Sequence, residues 1–243
     1  MSKKVRIGID VGGTFTDAVV IDNDTYEIIA KKKIPTTHDA VGGVATGIVN
    51  IINEILQDNN ISPLDVNFIA HGTTQATNAL LEGDVAKVGV LGMGTGIDSS
   101  TAKSGTHTED IELAQGKFLK VYNRFVDSKK LNEALIEQSI EELKSEGAEV
   151  IVASEAYSVD DPTNELKVIE KANQKEMFAT GGHEISQLYG LKVRTRTAVV
   201  NASLIPKMME TANMTEQAVK DANIQTQLMI MRCDGGVMSI DEV

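Results

Sequence analysis

The amino-acid sequence predicts an α/β fold, a mixed sheet flanked by helices, and three observations predict it. Three short segments rich in β-branched residues follow one another between Lys4 and Ile34, separated by turn residues. Beyond them, apolar strand-like runs alternate with segments whose apolar residues recur at helical spacing. The composition, 42% hydrophobic and 24% charged over 243 residues, is that of a folded globular chain long enough for one large domain or two smaller ones.

The opening meander comprises "KVRIGIDV", "FTDAVVID" and "YEIIAKKKI", with Gly12-Gly13 and Asn23-Asp24 as its turns. A helix follows, since Val41, Val44, Ala45, Ile48, Ile52 and Ile55 form one stripe and Asn59-Asn60 provides an end. The apolar run "VNFIA" is a strand that leads into "HGTTQATNALLEG", where threonines suited to capping precede a helix ending at Gly83. "AKVGVLG" is the next strand. Met93 to Gln115, rich in Gly, Ser, Thr and Asp, is expected to be a long loop.

Leu131, Leu135, Ile140 and Leu143 then mark an amphipathic helix closed by Gly147, and "AEVIVAS" is a strand. "DPTNELKVIEKANQKEMF" is expected to be helical, with Pro162 near its first turn. The stretch from Arg196 to Gln225 is helical with a break near Pro206, and "QLMIMR" is a last strand. Ser239 and Glu242 have capping-box spacing, so a helix is expected to start there, with the chain stopping inside it.

Charge excludes one class of partner. With a formal net charge of −12, the chain offers no basic surface large enough for a nucleic-acid backbone. Cys233 is its only cysteine, which leaves no disulfide framework, Cys-rich zinc site or iron–sulfur cluster and fits a reducing cytoplasm. No membrane partner is expected, because the first apolar run is broken by Arg6 and stopped by Asp10. His38, His107 and His183 lack partners at metal-ligand spacing, and the misplaced third glycine of "GMGTG" rules out a dinucleotide fingerprint.

The motif that carries chemistry is "IGIDVGGTFTDAVVID". Paired glycines let a turn bring backbone N–H groups close to an anion, an acid at the strand end can hold Mg²⁺ through water, and threonine hydroxyls can donate to phosphate oxygens. A plain hairpin would need the glycines but not Asp10. His71-Gly72-Thr73-Thr74 lies between a strand and a helix N-terminus, where free N–H groups favour an anion; His71 there is either a functional group or a hydrogen-bonded structural histidine.

"IGIDVGGTFTDAVV" resembles the phosphate-binding hairpin of the sugar kinase, Hsp70 and actin superfamily, and together with "HGTTQATNALLE", "RTAVVNASLIP" and "LMIMRCDGGVMSIDE" it is similar to the hydantoinase A and 5-oxoprolinase family. The resemblance implies a ribonuclease H-like, actin-like ATPase domain over residues 1–180 and the beginning of a second such domain over 181–243. It implies ATP and Mg²⁺ as cofactors, and hydrolysis of a cyclic amide such as a hydantoin, N-methylhydantoin or 5-oxoproline. Asp10 would organise the metal and His71 would share the catalytic role. Gly12, Gly13, Thr14, Thr16, Asp17, Thr73, Thr74, Asp234, Gly235 and Gly236 would border the nucleotide.

Family members carry a second "D-x-GGTSTD"-type cassette that this chain lacks, so it is expected to need a C-terminal half or a partner subunit and to hydrolyse little alone. Asp234-Gly235-Gly236, taken without the family, is a strand-to-helix turn. The segment after "AKVGVLG" departs from the family's "GFRD-x-L-x-IGRQ" pattern, which leaves the substrate open, as does self-association. The alternatives are a nucleotide-binding subunit of an ATP-dependent carboxylase and a superfamily kinase.

Overall fold

Alternation of buried and half-buried residues defines the first strand. The computed structural model describes residues 4–37, 44–72, 74–232 and 235–240. In β1 (Val5–Val11) the side chains of Val5, Ile7, Ile9 and Val11 are buried, whereas Arg6, Gly8 and Asp10 lie on the other, more open face. β2 (Phe15–Asp22) turns Thr16, Ala18 and Val20 inward, and β3 (Ile28–Pro35) forms an edge guarded by three lysines. α1 (Val44–Asp58) buries Ile48, Ile52 and Ile55 of the expected stripe and Ile51 beside them. Val41 and His38 lie outside the described residues.

β4 (Val66–His71) runs into α2 (Thr74–Glu82), and β5 (Val88–Gly94) is buried along its whole length, as a central parallel strand must be. The loop expected from Met93 to Gln115 is not there. Met93 and Gly94 finish β5, and α3 (Ser99–Thr106), β6 (Ile111–Ala114) and the start of a hairpin with β7 (Lys117–Leu119) fill the rest. The helix exists because Gly92 and Gly94 remove side chains from β5 beneath it: a Cβ at Gly92 would collide with Thr106, and one at Gly94 with the Cβ of Ala102. Composition alone hides such a helix, since its buried face is only Ala102 and Thr106.

β8 (Val121–Asp127), unanticipated, pairs in parallel with β5. In α4 (Glu133–Glu146) the Asn132 side chain caps Leu135 N at 3.0 Å, and the buried stripe is Ile136, Ser139, Ile140 and Leu143, with Leu131 and Leu135 half-buried at its margin. β9 (Val150–Glu155) follows. α5 (Thr163–Gln174) ends before the expected Phe178, which instead opens β10 (Phe178–Gly181) and the short α6 (Gly182–Ile185).

α7 (Leu191–Ala202) and α8 (Ile205–Asp221) break beside Pro206 as expected, and β11 (Leu228–Met231) completes the apolar series. The strand-to-helix turn expected after it is a hairpin: β12 (Val237–Ser239) returns antiparallel to β11, with Arg232 N bonded to Gly236 O at 2.8 Å and Gly235 at φ 84°. Ser239 ends that strand, and Glu242, Asp234 and Cys233 lie outside the described residues.

Two units divide the chain: residues up to Asn78 together with those from Lys207 onward, and Ala79–Pro206. The first holds a six-stranded mixed sheet ordered β12-β11-β4-β1-β2-β3, in which β4 lies parallel to both β1 and β11. Its core joins the inward face of β1 and β2 to α1 and to Ala212, Ala218 and Val219 of α8. The second holds a parallel sheet ordered β10-β9-β5-β8, with a separate core of Leu91, Ile140, Leu143, Ile151, Val168 and their neighbours.

Candidate functional site

The open face of β1 and β2 carries two carboxylates opposite each other. Asp10 pairs with Asp17 in the antiparallel register, one step past Gly8 and Val19, so both side chains stand on the face away from the core. Like charges directly opposed across strands destabilise a sheet unless a cation lies between or beside them. Lys33 approaches Asp17 at 3.2 Å and also lies 4.8 Å from the Phe15 ring centroid. Asp10 has no such relief: its Oδ1 is buried and lacks a hydrogen-bond partner among the described residues.

Gly72 makes this arrangement possible. Its N–H bonds Ile9 O at 2.7 Å, and a Cβ at this position would stand 2.6 Å from Asp10 Oδ1. A cavity of about 800 Å³ opens over the pair and is also lined by Gly72, Thr74, Thr77 and Arg232. An orphaned buried carboxylate oxygen beside a second carboxylate fits Mg²⁺, which is held by one or two carboxylates with water and phosphate oxygens completing its shell.

The remaining expected residues fall in three places. Thr16 does not face the cavity: strand parity turns it inward, fully buried, with its hydroxyl 3.2 Å from that of Thr36. It therefore ties the hairpin to the residue after β3 rather than facing a phosphate. The Gly12 N–H bonds Phe15 O at 2.9 Å and its carbonyl accepts from Thr36 Oγ1 at 2.8 Å, so the Gly12 N–H serves the turn itself. Gly13 lies beside Asn78, and Thr14 is exposed, its carbonyl accepting from Thr36 N at 2.9 Å. Thr73 and Asp234 lie outside the described residues, and Gly235 and Gly236 form the β11–β12 hairpin at the far edge of the same sheet.

His71 sits in register with Ile9 and Ile230, on the core side. It is fully buried, and neither ring nitrogen has a hydrogen-bond partner among the described residues. Burial pushes its pKa down to about 4 against the opposing pull of the Asp10 carboxylate, so the ring is neutral at neutral pH. Sequence reading missed Gly8, Lys33 and Arg232 as neighbours of the cavity. For Gly8 and Lys33 the signal was available, since each shares strand parity with one of the two carboxylates.

Residues 6–176 match the hydantoinase/oxoprolinase N-terminal region, and residues 194–243 match hydantoinase/oxoprolinase. The chain is 27% identical to caprolactamase subunit alpha of Pseudomonas jessenii, over 98% of its own length and 36% of that protein. The solved ATP-dependent caprolactamase of that organism overlays with a TM-score of 0.65 at 25% identity, covering 96% of this chain and 36% of the other. Acetophenone carboxylase gamma subunit of Aromatoleum aromaticum is 26% identical over 96% of the chain and 36% of that protein. A nucleotide-free acetone carboxylase has a TM-score of 0.70 at 18% identity, over 98% of this chain and 37% of that one, a likeness of fold. The chain thus spans 36% of the length of the curated relatives it matches. The fold is of the mixed α/β, actin-like ATPase type.

Proposed function

Because the chain belongs to the hydantoinase/oxoprolinase family, we propose that it is the N-terminal portion of an ATP-dependent hydrolase that opens a cyclic amide of the hydantoin, N-methylhydantoin or 5-oxoproline type. The observation that carries this reading is the Asp10–Asp17 pair, with its orphaned buried oxygen, under a cavity large enough for a small ligand. The likeness to a caprolactamase subunit supports a ring amide as substrate.

In the proposed reaction the γ-phosphoryl group of ATP passes to the amide oxygen with ADP leaving, water attacks the ring carbon, the C–N bond breaks with a proton going to nitrogen to leave an acyl phosphate, and a second water hydrolyses that acyl phosphate to carboxylate and phosphate. Mg²⁺ held at Asp10 would neutralise the carboxylates and offset phosphate charge. Strand pairing fixes Asp10, and the missing Cβ of Gly72 leaves room for its carboxylate. Thr74 and Thr77, one turn apart at the start of α2, offer hydroxyls to phosphate oxygens. His71, which the family resemblance pairs with Asp10 in catalysis, is neutral and buried on the core side at the end of β4, outside the cavity lining. Gly12, Gly13, Thr14, Thr73, Asp234, Gly235 and Gly236 border the nucleotide, in a protein proposed to be cytoplasmic.

Calorimetric titration with Mg·ADP and Mg·ATP tests the site. Asp10→Ala is expected to weaken binding by about tenfold or more, the scale of a lost charge-assisted contact. Equal affinities in the two chains would remove Asp10 from the site. A second reading, a subunit of an ATP-dependent carboxylase, is favoured by the likeness to acetophenone carboxylase gamma subunit. Phosphate release by the longer protein distinguishes them: stimulation by a cyclic amide supports the hydrolase, and stimulation by a ketone with bicarbonate supports the carboxylase.

A further inference from the structure

We propose that the cleft between α3 and α7 in the second unit binds a small polyanion, a molecule carrying two or more carboxylate or phosphate groups. Ser100, Lys103, Ser104 and His107 follow an i, i+3, i+4, i+7 pattern, so α3 and the residue after it present one continuous polar stripe. Across the cleft, Lys192 and Arg196 are spaced i, i+4 on α7. The helices approach closely because Gly105 faces Leu191, where a Cβ would stand 2.9 Å from Leu191 Cδ2. The enclosed volume is about 700 Å³, the size of a small-molecule site.

Charge gives the cleft its meaning. The chain carries 35 acidic and 23 basic residues, and lysines or arginines elsewhere are engaged: Lys32 with Glu54 and Asp58, Arg124 with Glu142 and Glu146, Lys175 with Glu137 and Glu141. The side chains of Lys103, Lys192 and Arg196 have no carboxylate partner among the described residues. Of the two acids lining the cleft, Asp110 is already held by Lys120 at 2.5 Å and by Val121 N at 3.0 Å, which leaves Glu109 against three cations. Three cations and two serine hydroxyls lining one cleft of an acidic protein create a local positive potential that an anion relieves. The fork of Arg196 suits a planar carboxylate or a phosphate face, and the two lysines act as point charges on a second anionic group.

Citrate and inorganic pyrophosphate serve as probes in low-salt buffer, with amide shifts of the isotope-labelled chain as the readout. Saturable shifts confined to residues 100–107 and 192–196 are expected with at least one probe; citrate alone identifies a carboxylate ligand and pyrophosphate alone a phosphate ligand. Lys103→Ala/Arg196→Ala changes only exposed side chains and is expected to weaken binding by about tenfold or more. Lys130→Ala/Lys144→Ala, the same charge change away from the cleft, is expected to leave it unchanged. The proposal is overturned if neither probe shifts these amides at concentrations on the order of 10 mM, or if both double variants weaken binding equally.

Discussion

Asp10 and His71 occupy adjoining strands yet face opposite sides of the sheet, and their environments assign them different work. Asp10 keeps a buried oxygen facing a cavity, whereas His71 is neutral inside the core, with its pKa lowered to about 4. The unfolded chain releases this histidine near pH 6.5, so between pH 6.5 and 4 the unfolded state binds a proton that the folded state refuses. Stability is therefore full above that window and falls as pH drops through it, by roughly 3 kcal/mol for a shift of this size. His71→Leu is expected to flatten this acid limb in urea titrations of metal-free protein across the window. An unchanged slope would place the acid sensitivity elsewhere. The motif made Asp10, Asp17 and the threonine series legible in the sequence. The parity that turns Thr16 inward was legible too, once β2 was fixed in register with β1.

At the scale of elements, strong periodic signals survived and weak ones did not. α1 and α4 show wide apolar stripes and were readable; α3 buries only Ala102 and Thr106, and its stability comes from the glycines of the strand it covers. No window of sequence around residues 99–106 contains that information, because half of the contact belongs to β5. β12 escaped for a related reason: three residues of strand are set by pairing with β11, while Ser239 and Glu242 offered a competing local helix signal. The α3 account has a direct consequence. Gly94→Ala puts a methyl group against Ala102 on a helix that cannot retreat from β5 without uncovering its two buried residues, Ala102 and Thr106. Overpacking of this kind costs about 1–3 kcal/mol, measurable as a lowered urea midpoint with unchanged slope. A midpoint equal to that of the parent chain would mean that α3 packs more loosely than described.

Across the whole molecule, the first sheet is assembled from distant parts of the chain while the second unit is continuous. β11 joins β4 only after Ala79–Pro206 has intervened, a pairing that local patterns cannot encode because nothing near either strand names its neighbour. The alternation of strands and helices therefore revealed an α/β fold but not which strands share a sheet. Each unit owns its core: the cluster around Ile7, Ile52 and Val219 draws only on the first, and that around Leu91, Ile140 and Ile151 only on the second. A continuous segment with its own parallel sheet and core has what it needs to fold alone. Residues 79–206, expressed separately, are expected to unfold cooperatively and to keep slow amide exchange in β5 and β9. Residues 1–78, deprived of β11 and α8, are expected to lack such protection in β4, because its outer edge is unpaired and the Ile48–Ile55 face loses Ala212 and Val219. Fast exchange throughout the 79–206 fragment would show that its core depends on contacts from the remainder of the chain, and the division of the molecule into two self-sufficient cores would fall with it.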